Sequence, residues 1–158
     1  MKSIEEYMEV YDGDFNSKFS RVLAGAGILL WFSGWLCLLW YLPDEPIKNW
    51  LGDRQFANWA TVLIVVLLIY YGSESFTLTF GSGFFLLGSL LGVSWLIFNS
   101  SLDLIALTGS LLGSGAFLLI LSRVISGSLK NIYRELTFLP LLPVWIIYHL
   151  YRWLGLSF

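Results

Sequence analysis

The sequence predicts an all-α integral membrane helical bundle, and three observations carry that expectation. Of 158 residues, 57% are apolar and only 13% are charged, where an ordinary soluble domain is about 25% charged. The apolar residues gather into runs close to the roughly 20 residues needed to cross a hydrocarbon core. The charges fall almost entirely between those runs. The same composition excludes other classes. A disordered chain is poor in aromatics and rich in charge. Cys37 is the single cysteine, so no disulfide framework exists. A net charge of −2 does not track a phosphate backbone, which argues against a nucleic-acid partner.

Residues 1–21 read as a cytoplasmic amphipathic segment preceding a helical membrane domain over 22–158. Ser3 followed by Glu6 has capping-box spacing. Ile4, Tyr7, Met8 and Tyr11 fall on one helical face, which suits packing against the protein's own loops. Asp12-Gly13-Asp14 reads as a turn. The first span runs from Val22 to Leu42 without a charge. It reads as a retained span, because it is too long for a signal-peptide core and lacks a basic lead-in. The second runs from Gln55 to Tyr71, the third from Ser75 to Ser101 and the fourth from Leu104 to Ser122. A fifth segment, 136–150, contains Pro140 and Pro143, so it is kinked or only partly inserted.

Orientation follows from the loops. Lys2, Lys18 and Arg21 precede the first span, and Arg123, Lys130 and Arg134 follow the fourth, whereas the opposite side has only Lys48 and Arg54. The positive-inside rule therefore places the N-terminus in the cytoplasm. The expected setting is a bacterial inner membrane, with the endoplasmic reticulum as the alternative. Trp40, Tyr41, Trp59, Tyr70, Tyr71, Tyr148, Tyr151 and Trp153 lie near span ends, as interfacial anchors do. Within the bilayer, Gly88 and Gly92 share a face of the third span, and Gly109 and Gly113 repeat the same Gly-Ser-Leu-Leu-Gly pattern in the fourth. Small residues four apart allow close backbone approach. The expectation is that these two spans pack on each other, with a homodimer face as the alternative.

Little chemistry is available. The first, second and fourth spans contain no acid, which argues against a pump or ion-coupled carrier. No phosphate loop, dinucleotide fingerprint or nucleophile elbow occurs. His149 alone cannot supply a metal site, and it reads as an interfacial histidine. Cys37 reads as a packing residue. The topology puts Tyr11, Asp14, Asn16, Ser20 and Arg21 at the same face as Arg123, Ser126, Lys130 and Arg134. These are the candidate lipid- or partner-facing residues, and a basic cluster at that level suits headgroups.

The order of features resembles the small multispan family typified by the fungal 2-hydroxy fatty acid dioxygenase. The resemblance rests on Ser3 to Tyr7, Asn16, the stretch Trp59 to Tyr71 and above all the tail from Arg123 to Trp145. That tail is similar to the family block GH-x-x-EG-x-x-PSF-x-x-D-L-Q-F-L-x-x-x-P-x-W, and the likeness covers nearly the whole chain. It implies a shared helical scaffold and, in relatives, ferrous iron held by histidines. Here the two N-terminal histidine positions carry Tyr11 and Ser20, and the tail histidine and glutamate carry Arg123 and Ser126. Asn16, Gly127, Glu135, Pro143 and Trp145 remain. A guanidinium cannot ligate a metal, so no iron or other cofactor is expected. The resemblance then implies a non-catalytic membrane protein on a degenerate scaffold, binding membrane lipids or serving as an accessory subunit of a homo-oligomer or larger complex. The alternative is a lipid-modifying enzyme with residual oxygenase activity. A carrier or channel is the third possibility, disfavoured by the uncharged spans.

Overall fold

A computed structural model describes residues 4–52, 56–101, 103–129 and 142–155, and the described residues are helical with short connections. The first helix, α1 (Ile4–Asp12), turns Met8 and Tyr11 inward and Glu6, Glu9 and Val10 outward. Its end is a tight turn, in which the Gly13 and Asp14 N–H groups donate to the Glu9 and Tyr11 carbonyls.

Polar caps, rather than the edges of the apolar runs, set where the long helices begin and end. The second helix, α2 (Lys18–Tyr41), starts four residues before the apolar run. Ser17 caps it by accepting from the Ser20 N–H at 3.0 Å, and the Ser20 hydroxyl faces back to the Ser17 backbone. This reciprocal arrangement satisfies two of the donors that a helix start leaves unpaired. A short helix, α3 (Glu45–Leu51), carries Pro46 in its first turn and stops at Gly52, whose φ of 83° a side chain would resist. Next come α4 (Trp59–Glu74), capped by Asn58, and α5 (Phe76–Asn99). Ser75 alone separates these two. Its N–H closes α4 on the Tyr71 carbonyl, while its hydroxyl accepts from Leu78 and opens α5. The sixth helix, α6 (Leu104–Ser126), runs four residues past the expected end and closes on left-handed Gly127. The last, α7 (Leu142–Leu154), tolerates Pro143 because its first turn has no carbonyl to bond there. Gln55, Pro140 and the first half of the fifth predicted segment lie outside the described residues.

Among the described residues, three helices, α2, α5 and α6, are long and apolar enough to cross a membrane. At 24 residues, α2 and α5 each extend about 36 Å. The 16 residues of α4 reach only about 24 Å. Outward faces carry large apolar side chains, including Ile69, Phe84, Trp95, Ile105 and Phe117. That coat suits lipid, not water.

α2, α4, α5 and α6 alternate in direction. The most extensive packing is α2 against α6, and it is antiparallel: Gly27 meets Gly115 and Leu119, whereas Gly34 meets Leu112. α4 and α5 form a second antiparallel pair, with Gly72 beside Thr79 and Gly83 beside Leu68. α5 lies parallel to α2, with Phe32 on Phe85 near one end and Trp40 on Phe98 near the other. α7 begins beside the middle of α2, where Leu142 joins Ile28 and Trp31. It ends beside the start of α5, where the Tyr151 hydroxyl donates to the Thr77 carbonyl at 2.8 Å and its ring covers Gly81. Leu142, Val144, Trp145 and Tyr148 fill the core with Tyr11, Phe15, Ile28 and Tyr71.

The glycine expectation is corrected here. A Cβ on Gly88, Gly92, Gly109 or Gly113 would meet nothing within 4 Å. The repeated motifs therefore lie on open faces and do not join α5 to α6. The glycines at the seam are Gly27, Gly34 and Gly115. A Cβ on Gly115 would stand 2.5 Å from the Trp31 nitrogen, and one on Gly34 would stand 2.7 Å from Leu112 Cγ. Small residues permit close approach only where a partner backbone is brought to them, and that partner is α2.

Candidate functional site

The polar groups gather where the start of α2, the end of α6, the turn after α1 and the second half of α7 meet. At the centre is Arg123, whose side chain is fully buried one turn before the end of α6. Its Nη1 donates to Asp14 Oδ2 at 2.9 Å. The guanidinium carbon lies 4.8 Å from the centre of the Tyr11 ring and 4.6 Å from that of Phe15. The two rings meet edge to face at 5.3 Å, and Trp145 packs on both. A desolvated cation gains most from such ring faces. A buried charge persists only when paired and hydrogen-bonded; the turn after α1 supplies the carboxylate and the Phe15 ring, and α1 itself supplies Tyr11.

The same turn also closes the end of α6. Asn16 Nδ2 donates to the Ser126 carbonyl at 2.9 Å, satisfying one of the acceptors that a helix end leaves open. Ser122 and Ser126 bond back to the carbonyls of Leu119 and Ser122. The Ser20 hydroxyl donates to the Ser17 carbonyl at 2.9 Å.

A second cluster sits beside the first. Asp12 Oδ1 lies 3.1 Å from Arg21 Nε and 3.0 Å from His149 Nε2. Both separations are short, yet none of the three atoms makes a well-directed hydrogen bond. The attraction is therefore chiefly electrostatic and weaker than its distances suggest. Arg21 also donates from Nη2 to the Phe15 carbonyl. His149 stacks edge to face on Trp145 at 4.4 Å. Burial holds the His149 imidazole below its ordinary pKa of 6.5; Asp12 opposes this, and Arg21 and Arg152 add to it. The ring is thus neutral at pH 7.

The convergence expected from topology is present, since Tyr11, Asp14 and Asn16 touch Arg123 or Ser126. Their outlook differs from the expectation. Tyr11, Ser20, Arg123 and Ser126 are buried within the fold. Ser20 Oγ, Arg123 Nη1 and Ser126 Oγ donate to the Ser17 carbonyl, Asp14 and the Ser122 carbonyl. Asn16 and Arg21 keep surface exposure. Lys130, Arg134 and Glu135 lie outside the described residues. Sequence reasoning missed Asp12 and the Asp12–His149 contact. No periodicity joins a residue near one terminus to one near the other.

Where the resemblance would put imidazoles, the Tyr11 ring covers a guanidinium, the Ser20 hydroxyl belongs to a helix cap, and Arg123 is itself the cation. Among the described residues, no three of His, Cys, Asp and Glu converge as a metal would require. Comparison with protein-family models, curated proteins and solved structures finds no match to this chain.

Proposed function

We propose that this chain is a non-catalytic integral membrane protein, a lipid-binding or accessory subunit, built on a scaffold related to the dioxygenase family it resembles. In this reading the former metal centre is filled by the protein's own cation. The observation that supports it is Arg123, fully buried between Tyr11 and Phe15 and paired with Asp14. A reactive site keeps open valence or a cavity for substrate, whereas here the central charge is already neutralised.

The accompanying topology has four crossings, α2, α4, α5 and α6, with the N-terminus in the cytoplasm. The alternating helix directions favour it, because α4 must return the chain before α5 can run parallel to α2. The short α4 spans by local thinning of the bilayer. α7 does not cross. From Leu142 beside the middle of α2 it runs to the cytoplasmic end of the bundle. The bacterial inner membrane remains the proposed location.

The test has two parts. Purified protein is assayed for bound iron and for shortening of 2-hydroxy fatty acids under oxygen, with a family member as the positive control. No iron and no product are expected. Stoichiometric iron that is lost on Tyr11→Phe or Ser20→Ala would overturn the reading. For topology, Cys37→Ser provides a background for single cysteines at the exposed positions Gly13, Glu45 and Leu129. Positions 13 and 129 are expected to react with an impermeant thiol reagent from one side, and position 45 from the other.

A further inference from the structure

A groove of about 250 Å³ runs along the surface between α2 and α7. Its walls are apolar: Val22 and Gly25 on α2, with Trp145 and Ile146 on α7. Its mouth is polar, formed by Arg21 and His149. Arg21 keeps 41% of its side chain exposed, and Arg152 lies close enough to act electrostatically on His149. Against these cations stands one carboxylate, Asp12. Arg21 Nε and His149 Nε2 are themselves buried against Asp12, and Trp145 Nε1 is buried as well, so the groove is offered the exposed part of the Arg21 guanidinium. A partly exposed guanidinium at the mouth of an apolar groove calls for an oxyanion. The apolar walls beneath call for hydrocarbon.

From this juxtaposition we propose that the groove holds one anionic glycerophospholipid. Its phosphate sits at Arg21 and His149, and one acyl chain lies against Val22, Gly25 and Ile146. The inference rests on the lipid-binding reading above and narrows it to a headgroup class and a place. Asp12 is then a competitor: it occupies one edge of Arg21 and weakens the hold on phosphate.

That competition gives the test opposite signs. Detergent-solubilised protein is examined by native mass spectrometry with phosphatidylglycerol and with phosphatidylcholine of matched chains. Phosphatidylglycerol adducts are expected to dominate. Arg21→Gln is expected to reduce that preference about fivefold, the worth of one cation near an anionic headgroup. Asp12→Asn, which removes the competing acid, is expected to raise it. If the Arg21–Asp12 pair only holds the fold together, the two variants will instead move the preference in the same direction, and the proposal fails. Val22→Trp fills the groove at an exposed position without touching either charge, and is expected to abolish the adduct while the thermal midpoint holds. Equal binding of the two lipids overturns the proposal. Displacement of the adduct by millimolar inorganic phosphate also overturns it, in favour of a soluble anion. None of these readouts depends on the iron and oxygenase assays, so a failure here is separable from a failure of the broader reading.

Discussion

α6 is fastened to α2 along its middle and to the turn after α1 at its end, and the two attachments share no chemistry. The seam with α2 has glycine meeting backbone, Leu112 and Leu119 filling the remaining space, and no charge. The end has a buried guanidinium, a carboxylate, two rings and an amide on a carbonyl. In hydrocarbon, helix association draws on dispersion, and dispersion rewards closeness. At the helix end, unpaired carbonyls and cations need partners with direction. The seam therefore tolerates no added volume, and the end tolerates no lost partner.

The largest expected effect breaks the end. Arg123→Met takes the buried cation away from Asp14, whose side chain is only 11% exposed, and losing one partner of a buried pair costs about 3–5 kcal/mol. Thermal melts in detergent should show it. The double change Arg123→Met with Asp14→Leu should recover most of the loss, because no charge is then left behind. If the single and double variants melt alike, the pair is not what holds this corner.

Volume tests the seam. Gly115→Ala sets a methyl against the Trp31 backbone, and overpacking of that kind costs about 1–3 kcal/mol. Gly113→Ala, two residues away on an open face, should cost nothing and add up to about 1 kcal/mol through helix propensity. The contrast between neighbours is the sharper measurement. An equal response would place the seam on the wrong face of α6.

The smallest effect is in pH. The native His149 pKa lies below 6.5, so the unfolded chain binds the proton more readily. Stability from this group is complete above pH 6.5 and falls as acid is added, until the native pKa is reached. His149→Phe should flatten that limb of the melting-temperature profile between about pH 7.5 and pH 5, a window that brackets the ordinary histidine range. A steeper limb would mean that the imidazole is charged in the native state.

The sequence made the membrane-crossing runs and the meeting of Tyr11, Asp14 and Asn16 with Arg123 and Ser126 legible, for related reasons. Hydropathy locates helices, and an alternating topology brings alternate ends together. Helix limits were off by up to four residues, because Ser17, Asn58 and Gly127 set them through hydrogen bonds that hydropathy does not weigh. The glycine repeats misled because spacing shows that a face is smooth, not which helix lies on it. Tyr11 and Arg123 were expected to look outward, since an arginine is buried only when its partners are in place. Those partners lie a hundred residues away in the chain.

That separation sets an order of events during synthesis. Asp14 precedes Arg123 by 109 residues, which at ribosomal speed is about 5–20 s. Throughout that interval Asp12 and Asp14 remain hydrated beside the first inserted helix, with neither Arg123 nor His149 yet made. The corner closes only when Arg123 and His149 arrive, so the earliest-made of its residues are held only by the latest.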